Sequence, residues 1–264
     1  MLYEAPHPAF PQPGDKDIRL WRYLDFSKFE WFAREKRLFM PNAAHLGDPL
    51  EGTQPPGHDD WWSSLAAAAV SDSERKTIEH NRQLLLRFAA AFRTCYYVSC
   101  WHMNATENST MWVRYTKHPE SVAIQTTFAK LRVALPPYVG MGMIRYIDYS
   151  IERLPTLNMF EYVTHKNRCF EYEQELRAVA MHPVVEGLDQ QHFREHHFQS
   201  EHNQSFLVYA PPVELAAVVE SVVLHPSASE AFAMQVKSLC QQSSLPMPQR
   251  SGLELPLASA ENAL

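Results

Sequence analysis

The segment FEYEQELRAVAM, residues 170–181, constrains this chain more than any other stretch. Read as a strand, it puts Glu171, Glu173, Glu175 and Arg177 on one face and Tyr172, Gln174, Leu176 and Ala178 on the other. Acidic side chains are poor sheet formers, so such a row needs counter-charges or a chemical purpose. Close carboxylates raise one another's pKa while a neighbouring arginine lowers the nearest, which separates acid from base roles. The bland alternative is a solvated strand edge, or a helix in which Glu171 and Glu175 repel across one turn.

The remaining pattern mixes short strands and helices without the regular alternation of a doubly wound sheet, which predicts an α+β fold with mixed, mostly antiparallel sheets flanked by helices. Strands are expected at 18–23, 37–40, 95–101, 122–126, 142–149, 177–181 (starting as early as Cys169), 205–210 and 221–224. Helices are expected at 27–35, with Phe29, Phe32 and Ala33 on one side, and at 157–164 and 226–241. A long helix over 71–93 has Ser71 and Glu74 as capping box and Ile78, Leu85, Phe88 and Phe92 as its stripe. Asn108 caps a short helix carrying Met111, Trp112 and Tyr115. Residues 1–17, with four prolines, read as a flexible arm, residues 18–242 as a single domain and residues 243–264 as a mobile tail.

At 264 residues and 45% hydrophobic the chain can bury its own core. A net charge of −6 offers no bulk basic surface for nucleic acid or an anionic membrane. With only 8 glycines most phosphate-cradling loops are excluded: Gly140 and Gly142 open a G-x-G, but Arg145 stands at the third glycine. Cys95, Cys100, Cys169 and Cys240 form no C-x-x-C pair, and no apolar run approaches a membrane span. Free thiols without an export signal fit a cytoplasmic protein.

Arg22 is a charged residue inside the apolar strand LWRY, suited to a phosphate or to a strand-neighbour carboxylate such as Glu173 or Glu175. Ser99, Cys100, Trp101 and His102 end a strand, where a ligand can be oriented. Trp112 and Tyr115, one helical turn apart, have the geometry to stack on a planar ring, but plain core packing is the better account of them. Asp48, Pro49 and Glu51 read as a helix start, and capping is sufficient to explain them. His192, Glu195 and His196 spell H-x-x-E-H, a zinc-hydrolase pattern. The surrounding LDQQHFREHHFQSEHNQ lacks an apolar stripe to rigidify such a helix, so these histidines are weak metal candidates and no metal is expected.

Taken together, LWRYLDFSKFEWFAREKRLFMPN, GDPLEGT, YYVSCWH, NSTMWVRYTKH, SVAIQTTF and FEYEQELRAV resemble a bacterial family known as domain of unknown function 2971. These blocks span about residues 18–245 in order; Gly47 stands where the family tends to have Asn. More distantly, a charged residue on the first strand and E-x-E on a late strand are similar to ADP-ribosyltransferases. That resemblance implies NAD as substrate, with Arg22 on its phosphate or ribose side and Ser99 in the middle strand. Glu175, preceded by Glu173, would be the glutamate stabilising oxocarbenium charge, with Arg177 in the same row and Trp112 or Tyr115 on the nicotinamide. The Ser-Thr-Ser triplet of some members is replaced by Ser99-Cys100-Trp101. Three functions follow: an NAD-using transferase or glycohydrolase with an unknown protein or nucleic-acid acceptor, a non-catalytic binding or regulatory module of a defence or stress system, and a zinc hydrolase. The module reading predicts full pairing of the glutamate row.

Overall fold

The computed structural model describes residues 7–156, 158–181, 197–200 and 203–254. In chain order, β1 (Arg19–Asp25), α1 (Phe26–Glu35), β2 (Met40–Pro41), α2 (Gly57–Ala68) and α3 (Asp72–Arg93) come first. There follow β3 (Tyr96–Met103), α4 (Ser109–Tyr115), β4 (Ser121–Thr127), α5 (Phe128–Ala134), β5 (Gly140–Met143) and β6 (Arg145–Ile147). Next are α6 (Glu161–Thr164), β7 (His165–Asn167), a 3-10 turn (Arg168–Glu173), β8 (Glu175–Met181), β9 (His197–Ser200) and β10 (Asn203–Tyr209). Finally α7 (Leu215–Val218), β11 (Ser221–Leu224), α8 (Glu230–Gln242) and β12 (Gln249–Arg250) close the described elements. The fold is α+β, with mixed, mostly antiparallel sheet and flanking helices. No helix among the described residues is long and apolar enough to cross a membrane.

The chain divides into two compact units, each built from three segments. One comprises Met1–Gly14, Leu38–Cys100 and Pro136–Pro211; the other Asp15–Arg37, Trp101–Leu135 and Pro212–Leu264. Residues 18–242, expected as one domain, contribute to both.

In the second unit β1 pairs antiparallel with β4 from Arg19 opposite Thr127 to Asp25 opposite Ser121. The end of β3 adds to β1 through Trp21 opposite His102, and β11 extends the other side of β4. Helix α1 buries Phe29, Phe32 and Ala33, the side its spacing predicts. The Asn108 Oδ1 cap accepts from the N–H groups of Thr110 and Met111, again as expected. Residues 243–254, expected as tail, are pinned. Their strand β12 pairs parallel with β11, and Glu107 accepts from the Ser251 hydroxyl and the Gly252 N–H. Residues 255–264 lie outside the described residues.

In the first unit β5 pairs antiparallel with β8, from Gly140 opposite Val179 to Met143 opposite Leu176, and β3 lies beside β8. Around these strands Phe10, Ala43, Tyr96, Val98, Val163, Val179 and Met181 form a buried cluster. The G-x-G has a packing reason. A Cβ on Gly140 would enter the Phe10 ring, and one on Gly142 would lie 2.6 Å from the Phe10 Cα. The described part of the proline-bearing arm, from His7 on, is therefore anchored by Phe10, and the paired glycines serve that close approach instead of a phosphate.

Outside the candidate site, local pattern misled in four places. The strand expected at 37–40 shrinks to β2, and the one at 142–149 breaks at Ile144 into β5 and β6. The helix expected at 157–164 is the single turn α6. On α3 the Ser71 hydroxyl accepts from the Glu74 N–H as expected, and Ile78 and Leu85 turn partly inward. The inward stripe continues to buried Ala89, however, while Phe88 is 45% exposed. The Phe92 side chain lies outside the described residues.

Candidate functional site

The residues that converge lie within the first unit, where β8 begins. The strand does not extend back to Cys169. Residues 168–173 close a 3-10 turn, and Gln174 adopts a left-handed conformation (φ 40°) before β8 starts at Glu175. That switch breaks the predicted row: Glu171 is exposed, while Glu173 and Glu175 both turn to the Lys166 ammonium, at 2.5 and 3.3 Å. Arg177, fully buried, donates from Nε and Nη2 to the two oxygens of Glu175 at 2.7 and 3.0 Å. Its Nη1 donates to the Val163 carbonyl, and its Nη2 is ion-paired with Glu51.

Glu51 corrects the capping expectation. The Asp48 to Gly52 stretch forms a turn, not a helix start: the Leu50 N–H donates to Asp48 Oδ1 and the Glu51 N–H to the Asp48 carbonyl. The Glu51 carboxylate is thereby freed to turn inward, 3% exposed, onto Arg177. Lys166 was also missed. It alternates with His165 in a three-residue strand too short to show a pattern.

Three carboxylates, Glu51, Glu173 and Glu175, thus face two cations, Lys166 and Arg177, in a buried cluster. Burial alone pushes the Glu175 carboxyl up, but Arg177 and then Lys166 overcome it and hold it down to about 2. Burial likewise opposes charge on Lys166 and Arg177, and Glu175 in each case raises them above their ordinary values. The Cys100 thiol, pushed well up by burial and then by Glu175, stays protonated and hydrogen-bonds to the Glu175 carboxylate. The Glu175 N–H donates to the Tyr146 hydroxyl at 2.8 Å, fixing the start of the strand. The cluster therefore holds a carboxylate that is ionised at neutral pH and immobilised in low-dielectric surroundings.

Ser99 is buried beside Cys100 on β3. Arg22, Trp112 and Tyr115 belong to the second unit. There the Arg22 guanidinium rests over the Trp101 ring at 5.8 Å. Trp112 is fully buried, its indole N–H donating to Glu107 and its ring set edge-on to Tyr23 and His225. Tyr115, at 41% exposed, faces outward. His192, Glu195 and His196 lie outside the described residues, and among those described no group of three His, Cys, Asp or Glu is placed to hold a metal ion.

No family model and no curated protein matches the chain, so membership in the domain of unknown function 2971 family lacks support. Among solved structures the chain is similar to Thermus sp. 2.9 DarT in complex with carba-NAD+, at 10% identity and a TM-score of 0.35, over 89% of this chain and 95% of that one. It is similar also to Thermus sp. 2.9 DarT in complex with NAD+, at 9% identity and 0.34, over 90% and 96%. At such scores the likeness carries no argument for this chain's fold or activity.

Proposed function

We propose that this chain is an NAD-using ADP-ribosyltransferase or NAD glycohydrolase whose catalytic carboxylates are Glu175 and Glu173. The observation that supports this reading is that, among the described residues, three buried carboxylates gather around two cations. A site with surplus negative charge and little water favours a sugar carbon that becomes cationic. In the step, the C1′–N bond of the nicotinamide ribose breaks and its electron pair leaves with the nicotinamide nitrogen. An acceptor oxygen or nitrogen then bonds to C1′ and gives up its proton to a carboxylate. Glu175, held ionised, stabilises the intervening charge, and Glu173 takes the proton.

One observation favours a second reading, a non-catalytic binding module. Both Glu175 oxygens are already engaged by Arg177, one of them also by Lys166, as a purely architectural ion network requires.

Nicotinamide release from labelled NAD separates the two, comparing wild type with Glu175→Gln, Glu173→Gln and Arg22→Ala, each checked for folding by circular dichroism. The expected result is release by wild type that falls by roughly a hundredfold or more in Glu175→Gln. A wild type that neither binds NAD nor releases nicotinamide would overturn the proposal and leave the module. Arg22→Ala asks separately whether the guanidinium over Trp101 takes part.

A further inference from the structure

A cavity in the first unit, about 340 Å³, is lined by Arg145 at the start of β6, Glu161 at the start of α6, Thr156, Asn158, Pro8 and Pro155 among others. It has an unusual charge arrangement. Glu161 is only 3% exposed, yet no cation pairs with it among the described residues. Among the described residues its carboxylate oxygens accept only from the N–H and hydroxyl of Thr156, at 3.0 and 2.8 Å. Arg145 is exposed, and its guanidinium has neither an ion pair nor a hydrogen bond among the described residues. The two opposite charges line one cavity without meeting.

A buried carboxylate without a cation is costly, and a guanidinium with five idle donors beside it is a ready carboxylate fork. Simple architecture would have joined them, as it joins Arg177 to Glu175. We infer that the cavity binds a small zwitterion, an α-amino acid with an apolar side chain. Its carboxylate lies on Arg145, its ammonium on Glu161, and its side chain against Pro8 and Pro155. A simple anion is disfavoured because Glu161 would repel it, and a simple amine because Arg145 would. The Thr156 bonds hold the Glu161 carboxylate in place with lone pairs to spare, so the ammonium meets a preformed acceptor. The volume suits a single amino acid of leucine to phenylalanine size, and small sites of this kind are typically largely preformed. The inference does not rest on the NAD reading, since none of its residues belongs to the Glu175 cluster.

The test is isothermal titration and thermal shift of the full chain with L-leucine and L-phenylalanine, against analogues lacking the amine (4-methylpentanoate) or the carboxylate (3-methylbutylamine). The expected result is saturable binding of at least one amino acid, with both single-charge analogues weaker by roughly tenfold or more. Arg145→Gln, an exposed substitution that leaves the fold alone, weakens binding by a similar factor. Glu161→Gln does so as well and, being buried, is read together with Arg145→Gln. No binding of either amino acid, equal binding of a single-charge analogue, or undiminished binding by Arg145→Gln would each overturn the assignment.

Discussion

Replacing Arg177 by methionine keeps a long, largely apolar side chain in a fully buried position and removes only the charge and its donors. What remains is Glu51 and Glu175 with Lys166 as the nearby cation. The magnitude follows from two directions. Two charge-assisted bonds to Glu175 at 2.7 and 3.0 Å are lost. At about 1.5–3 kcal/mol each they suggest about 3–6 kcal/mol. Breaking a buried ion pair from one side costs about 3–5 kcal/mol, because the abandoned carboxylate keeps its desolvation penalty. The expected loss is therefore about 3–5 kcal/mol. In urea unfolding followed by circular dichroism, it lowers the midpoint by roughly 1–2.5 M for a slope near 2–3 kcal/mol/M.

The same substitution carries a pH signature. In the wild type the Glu175 carboxyl sits at about 2, below its ordinary 4.5. Its contribution is therefore present above 4.5 and lost as pH falls through 2, so acidification from about pH 7.5 to 5.5 leaves that stabilisation unchanged. In Arg177→Met the burial of Glu175 is opposed by Lys166 alone and its carboxyl rises, so the folded state takes up protons and regains part of the loss on acidification. Adding Glu51→Gln to Arg177→Met should also restore about 1–3 kcal/mol, because it removes one of the stranded charges. A midpoint for Arg177→Met within about 0.3 M of wild type would refute the account of the cluster as an interdependent ion network.

Two further outcomes are expected. Gly140→Ala and Gly142→Ala each overpack the Phe10 contact and cost about 1–3 kcal/mol or more, measured by denaturant midpoint. Phe10→Ala should rescue only Gly140→Ala, whose clash is with the ring, because at Gly142 the obstruction is the Phe10 backbone at 2.6 and 2.7 Å; rescue of both would disprove that distinction. The second concerns His58, whose Nε2 accepts from the Leu154 N–H at 2.9 Å and whose ring is held down to about 4 by burial and then by Arg153. That folded value lies below the ordinary 6.5, so its stabilisation is complete above 6.5 and lost as pH falls towards 4. After allowing for solvent screening the loss is about 2 kcal/mol. An NMR titration showing His58 protonating near its ordinary value would contradict this.

Much of the local structure was legible because the forces that set it act within one turn or one pleat. The inward side of α1, the Asn108 cap, the Ser71 cap and the position of β4 follow from spacing and side-chain chemistry. Glu173, Glu175 and Arg177 stood out as a charged row for the same reason, and the structure brings these three together. Tertiary contacts decided the rest. Asp48-Pro49-x-Glu51 reads locally as a cap, and nothing nearby reveals that Glu51 answers an arginine far along the chain. Glu171 leaves the row because Gln174 turns left-handed, and Phe88 stays exposed because Ala89 fills the inward stripe. Phe10, from a proline-rich arm, and Arg250, from a tail, are fixed by glycines, a carbonyl and a carboxylate that other segments supply. Sequence by itself determined which stretches of this chain can bury a face or close a turn, because those energies are local. Only the folded chain decided which charge meets which, because an isolated carboxylate is stable in water and acquires its partner when burial removes the water.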